Sequence, residues 1–131
     1  MAENDEQSVY AHLGGDAGVR ALADRFYDIM DGLPEARPIR AMHPADLTES
    51  RQKLYEFLSG WLGGPQLYVQ RRGHPRLRAR HMPFPVDQAA ADQWILCMDQ
   101  ALMAESVDPQ LRFSLMMSFA KVANHMRNRA G

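Results

Sequence analysis

Residues 72–86 read RGHPRLRARHMPFPV, a short stretch with several groups able to do chemistry. His74 and His81 flank Arg76, Arg78 and Arg80, with Arg71 and Arg72 just upstream. Arginine this dense can grip nucleic acid, pair with carboxylates through its planar fork, or line a solvated turn. Nucleic-acid patches commonly interleave aromatics or follow one helix face, and this stretch does neither. His81 has Leu77, Met82 and Phe84 for neighbours, so its imidazole is expected to enter an apolar space. Held there as a neutral ring, it is either an axial ligand for haem iron or an ordinary, partly buried histidine. His74, followed by proline, reads as a turn residue.

Other polar groups fall on apolar helix faces. Tyr27 sits at the rim of one stripe, where core packing with a bonded hydroxyl is the plain alternative to a ligand role. Ser50 lies one turn before Leu54 and two before Phe57, a small polar residue on a face expected to be buried. That suggests a cavity or entry point, or only a hydroxyl bonded back to its own helix. Trp94 carries an indole N–H that needs a partner. His43 follows a proline-broken connector and says little alone, and Cys97 reads as core filler. The nine methionines are read as core, not as metal ligands. Phosphate-loop, zinc-cluster and catalytic-triad spacings are missing.

The elements that must position these groups read as helices punctuated by Gly and Pro. After Gly14-Gly15, Val19, Leu22, Phe26, Ile29, Met30 and Leu33 form one stripe, closed by Pro34 and Pro38 with PEARPIR as an irregular or single-turn connector. A second helix begins near Leu47, carries Leu54, Phe57, Leu58 and Trp61 on one face, and stops at Gly63-Gly64-Pro65. Asp87 is an expected N-cap for a third helix bearing Ala91, Trp94, Met98 and Leu102. Asp108-Pro109 starts a fourth, with Leu111, Leu115, Phe119, Val122 and Met126. Nothing reads as a strand, so the fold class is all-α. Residues 66–86 lack periodicity and are expected to be ill-structured, which is uncommon inside a domain unless something orders them.

The bulk properties bound the function. A chain of 131 residues supports one domain with one sizeable core. A net charge of −1 gives no global attraction to nucleic acid or an anionic membrane, so the basic stretch is local. No apolar run approaches a membrane span, and residues 1–7 are acidic and polar without a signal core. They are expected to be a flexible tail before a domain at 8–131. The lone cysteine excludes an internal disulfide framework, and with no C-x-x-C-H there is no covalent haem attachment. The expected location is cytoplasmic.

Taken in order, these features form a pattern. Arg25-Phe26-Tyr27 lies on a helix after Gly-Gly, and W-L-G-G-P ends the next helix. R-G-H-P-R-L-R-A-R-H-M-P-F follows, and Trp94 comes thirteen residues beyond His81. From about residue 8 to 129 the chain resembles the truncated, two-over-two haemoglobins of group II. The resemblance implies a two-over-two helical sandwich around non-covalent haem b. It places His81 as the proximal iron ligand, Tyr27, Trp94 and His43 around the distal ligand, and Ser50 where full-length globins carry the distal histidine. Group members often have tyrosine or phenylalanine where this chain has His43. Leu54 and Phe57 would line the pocket, Leu77 would touch haem, and Lys53, Tyr68 and Arg80 match positions that reach haem propionates.

The implied function is binding of O2 and other diatomic ligands, such as CO and NO, at pentacoordinate iron. Hydrogen bonds from the distal residues would make O2 binding tight and release slow, which suits redox, NO or peroxide chemistry better than bulk delivery. An external reductant is implied, with no nucleic-acid or membrane partner, in a monomer or homodimer. Peroxidase-like or NO dioxygenase side activity stays open. The alternative from another class is a cofactor-free helical module that binds RNA or an acidic partner through residues 71–80. A non-haem metal site through His43, His74, His81 and His125 has no carboxylate–histidine spacing behind it.

Overall fold

Two capping aspartates set the frame of the C-terminal half. Asp87 accepts from the Ala90 N–H at 2.9 Å and Asp108 from the Gln110 and Leu111 N–H groups at 3.1 Å, so both helix starts stand where the sequence puts them. The computed structural model describes residues 8–130. The expected tail, residues 1–7, lies outside the described residues. In chain order the helices are α1 (Val9–His12), α2 (Gly15–Gly32), a 3-10 turn (Pro34–Ala36) and α3 (Arg37–Ala41). Then follow α4 (Thr48–Trp61), α5 (Leu67–Arg72), α6 (Leu77–His81), α7 (Gln88–Ala104) and α8 (Pro109–His125). No strand occurs among the described residues.

The pairs α2·α4 and α7·α8 pack within themselves, and α2 also packs on α7, giving a two-over-two sandwich. Val19, Leu22, Phe26 and Met30 of α2 meet Leu58 of α4, Met98 and Leu102 of α7 and Phe119 of α8 in one core. The first Gly-Gly pair turns the chain: Gly14 has φ 101, a left-handed conformation that favours glycine. At the second pair a Cβ on Gly64 would collide with the Tyr10 ring, so glycine lets α1 lie against the end of α4. The Tyr10 N–H bond to the Leu62 carbonyl, 2.9 Å, fastens that contact. No helix among the described residues is long and apolar enough to cross a membrane.

Three expectations need correction. Residues 66–86 are not ill-structured; they contain α5 and α6, joined by a turn in which Arg76 takes φ 46. On α4 the fully buried positions are Tyr55, Glu56, Leu58 and Ser59, while Ser50, Leu54, Phe57 and Trp61 are only half-buried. The face with the apolar stripe borders a cleft, and the neighbouring face packs on α2. Met103 and Met117 are more than half exposed, so the methionines are not all core. Residues 34–41 fold as the 3-10 turn and α3, slightly more regular than the expected connector.

Candidate functional site

His81 ends α6, a helix of five residues. Its Nδ1 lies 2.7 Å from the Leu77 carbonyl, which can only accept, so Nδ1 carries a proton and, in the neutral ring, Nε2 presents its lone pair. A histidine fixed in this way by its other nitrogen is oriented to bind a metal. The main chain after it is held by Asn128, which follows α8. Asn128 Nδ2 donates to the carbonyls of His81 and Phe84, both at 3.0 Å, and its Oδ1 accepts from the Val86 N–H at 2.9 Å. The Asn128 N–H donates in turn to the Val86 carbonyl at 2.8 Å.

On the other side, α2 presents Tyr27, only 7 % exposed. Burial pushes its phenol up to about 12 despite the nearby Arg51 charge, so it remains an O–H donor. The ring packs edge-on to Phe26 at 5.0 Å and to His43 at 5.6 Å. Phe26 also meets Trp94 at 5.1 Å, and Trp94 meets Phe119 at 5.5 Å. Among the described residues neither the Tyr27 hydroxyl nor the Trp94 indole N–H has a hydrogen-bond partner. His43 Nδ1 donates to the Ile39 carbonyl at 2.8 Å, which again leaves Nε2 as the lone-pair nitrogen. Burial lowers the His43 pKa, and the Arg40 and His81 charges add to this against the bond to Ile39. Neutral His43 is therefore an acceptor, and it becomes a second donor only on protonation.

The cleft between α4, α6 and α8 holds a cavity of about 570 Å³, within the usual range for a cofactor pocket. Phe57, Trp61, Leu77, Val122 and Met126 form its apolar wall, and His74, Arg76, Arg78, Lys121 and His125 its polar rim. Leu77, whose carbonyl meets His81 Nδ1, lies in its wall; His81, Tyr27, His43 and Trp94 do not. Trp61 stacks on Phe119 at 4.5 Å and on Phe57 at 6.4 Å, continuing the aromatic lining. Arg80, outside the cavity's lining, donates through Nε to the Pro75 carbonyl at 2.6 Å, and its guanidinium lies 5.7 Å from the buried Tyr68 ring. Lys53 is exposed on α4.

Arg71 and Arg72 have another partner. Glu56, 2 % exposed, accepts from Arg72 Nε at 2.6 Å, Gln52 Nε2 at 2.8 Å and Arg71 at 3.1 Å. Burial alone would raise this carboxyl, but the bonds from Arg72, Gln52 and Arg71 outweigh it and hold the pKa at about 2. Arg20 Nη1 of α2 donates to Gln52 Oε1 at 2.7 Å, extending the chain of bonds from α2 to α5. Sequence reasoning missed both Glu56 and Asn128. A charged residue between Tyr55 and Phe57 was the one available signal for Glu56, and nothing local marks Asn128.

A proximal-type histidine with a free Nε2, an aromatic-walled space with two unengaged donors, and a cationic rim together suit an iron porphyrin with its carboxylates. A family model described as bacterial-like globin matches residues 8–128. The group 2 truncated haemoglobin YjbI of Bacillus subtilis (strain 168) is 40% identical over 114 residues, 87% of this chain and 84% of that protein. The chain belongs to the group II truncated haemoglobins. Among solved structures, the cold-adapted truncated haemoglobin of the Antarctic marine bacterium Pseudoalteromonas haloplanktis TAC125 superposes with a TM-score of 0.91 at 51% identity, covering 94% of this chain and 99% of that one. A truncated oxygen-avid haemoglobin from Bacillus subtilis gives 0.83 at 38% identity, covering 93% and 100%. As a truncated haemoglobin the protein has haem as its cofactor and binds ligands there, and no finding supports the cofactor-free module.

Proposed function

We infer that this truncated haemoglobin binds O2, CO and NO at pentacoordinate haem b, holds O2 tightly, and serves redox, NO or peroxide chemistry rather than bulk delivery. One observation carries this reading: a protonated Tyr27 hydroxyl and the Trp94 N–H, with no hydrogen-bond partner among the described residues, flank Phe26 on either side. When bound, haem supplies the iron that a diatomic ligand coordinates. His81 would hold that iron through Nε2, and Leu54, Phe57 and Leu77 would exclude water around it. Ser50, small and half-buried, leaves room beside the ligand. Tyr68, Arg80 and Lys53 would meet its carboxylates. A ligand that gains negative charge on binding is stabilised by donors already in place, strongly where water is scarce. His43 Nε2 accepts at neutral pH and orients a neighbouring O–H, such as that of Tyr27. The relative described as oxygen-avid supports the same direction. The protein depends on an external reductant.

Stopped-flow O2 release tests the reading. With each hydrogen bond worth about 0.5–1.5 kcal/mol, Tyr27→Phe with Trp94→Phe is expected to speed release roughly one to two orders of magnitude. An unchanged rate in the double variant, or wild-type release as fast as a storage globin's, would refute it. The proximal role is checked separately by the ferrous-CO spectrum of His81→Ala, which is expected to be disturbed or lost.

A further inference from the structure

Charge is divided along this chain in an unusual way. Residues 57–86 and 109–131 hold nine of the fifteen Lys and Arg residues and none of the sixteen carboxylates. The fold brings the two segments together. Arg78 donates to the Arg127 carbonyl at 3.4 Å, Asn128 binds the His81 and Phe84 carbonyls, and both segments line the 570 Å³ cavity. Glu56, Glu49 and Asp99 neutralise Arg71, Arg72 and Arg112. The other six cations, Arg76, Arg78, Arg80, Lys121, Arg127 and Arg129, form no ion pair among the described residues. All but Arg127 are exposed.

We propose that this carboxylate-free face, at the mouth of the haem cleft, docks an acidic one-electron carrier protein that reduces the haem. The proposal rests on the haem reading above and names the kind of reductant that reading requires. Two propionates neutralise at most two of the six cations, so the face keeps its sign after haem binds. A surplus of one sign around a cleft steers an oppositely charged protein to it and raises the association rate. The position suits electron entry: α6, which carries His81, lies between Arg76 and the chain segment fixed by Asn128. One electron passes from the carrier's reduced centre to ferric iron, with no bond formed or broken and no proton required. RNA fits less well. All sixteen carboxylates lie on the remainder of the chain, so a polyanion longer than the patch runs onto acidic surface.

The test uses the haem-loaded protein and a plant-type ferredoxin as acidic probe. Binding is titrated from about 50 to about 300 mM salt, a range over which exposed charges become screened. Affinity is expected to fall at least tenfold with salt, and at least tenfold at low salt in Arg76→Glu/Arg78→Glu/Lys121→Glu. Lys121→Glu/Arg129→Glu, confined to the exposed side of α8 and the segment after it, is expected to weaken binding in the same direction even if the triple variant folds poorly. Flash reduction supplies a second readout, the ratio of the rate with ferredoxin to that with the neutral lumiflavin semiquinone. A ratio that falls with the charge reversals supports electron entry at this face. A normal Soret band with ferredoxin binding indifferent to salt and to both variants overturns the docking face and leaves the haem function intact. Tighter binding of a single-stranded RNA than of ferredoxin at physiological salt overturns it as well. A wild type that takes up no haem overturns both readings.

Discussion

Tyr27 belongs to a helix of 18 residues and packs through Phe26 onto Trp94 and Phe119, whereas His81 ends a helix of 5. The first arrangement is a product of apolar periodicity. Its groups are placed by close-packed aromatic surface, which tolerates little displacement. The second depends on polar partners far away in the chain: Glu56 seizes Arg71 and Arg72, and Asn128 takes the carbonyls that follow α6. Helices this short are marginal by themselves, since nucleation costs more than a single turn returns. One region is thus made rigid by the core, and the other is kept in shape by a few hydrogen bonds.

Three substitutions probe this difference, beginning with the largest expected effect. Phe26 is fully buried, and Phe26→Ala is expected to cost about 3–5 kcal/mol in global denaturant unfolding. A cost below about 1 kcal/mol would mean that the aromatic region is not the rigid one.

Glu56→Gln removes the carboxylate from a buried site whose partners Arg71 and Arg72 reach solvent, and is expected to cost about 1–3 kcal/mol. Hydrogen exchange should rise mainly in residues 67–81, with α2 and α7 little changed. Uniform loss of protection would erase the contrast between the two regions. Acid supplies an independent check on the same ion pair. Because the folded Glu56 pKa, about 2, lies below its ordinary 4.5, the stabilisation is complete above pH 4.5 and is lost as pH falls toward 2. In Glu56→Gln the loss of stability across that window should be shallower than in wild type, as followed by acid unfolding.

The smallest effect is expected from Asn128→Ala, about 1 kcal/mol, because the His81 carbonyl keeps its bond from the Phe84 N–H at 2.9 Å. It should appear as faster haem transfer to an acceptor protein, with the unfolding midpoint almost unmoved. Transfer at the wild-type rate would show that the Asn128 bonds do not hold the segment around His81 in place.

Much of the frame was legible in the residues. Asp87 and Asp108 cap where their types and the following Pro109 say, because a cap needs only its own next three residues. The stripe Val19, Leu22, Phe26 and Met30 is buried as its spacing requires. Periodicity misjudged α4, where the apolar face borders a cleft while Glu56, held by Arg71 and Arg72 of α5, and Ser59, bonded to the Pro65 carbonyl, are buried. It missed α5 and α6 altogether, since six- and five-residue helices rich in arginine show too few turns for a period to register.

The sequence by itself determined the helical class, the main helix boundaries and the family, with Tyr27, His81 and Trp94 marked in their order, since caps, glycine turns and stripes act over a few neighbouring residues. The tertiary structure alone decided which arginines are neutralised and which form no ion pair among the described residues, because ion pairing depends on distances set by packing across the whole chain. It also decided that His43 and His81, as neutral rings, each present a lone pair at Nε2, since a tautomer follows from which carbonyl the other nitrogen meets.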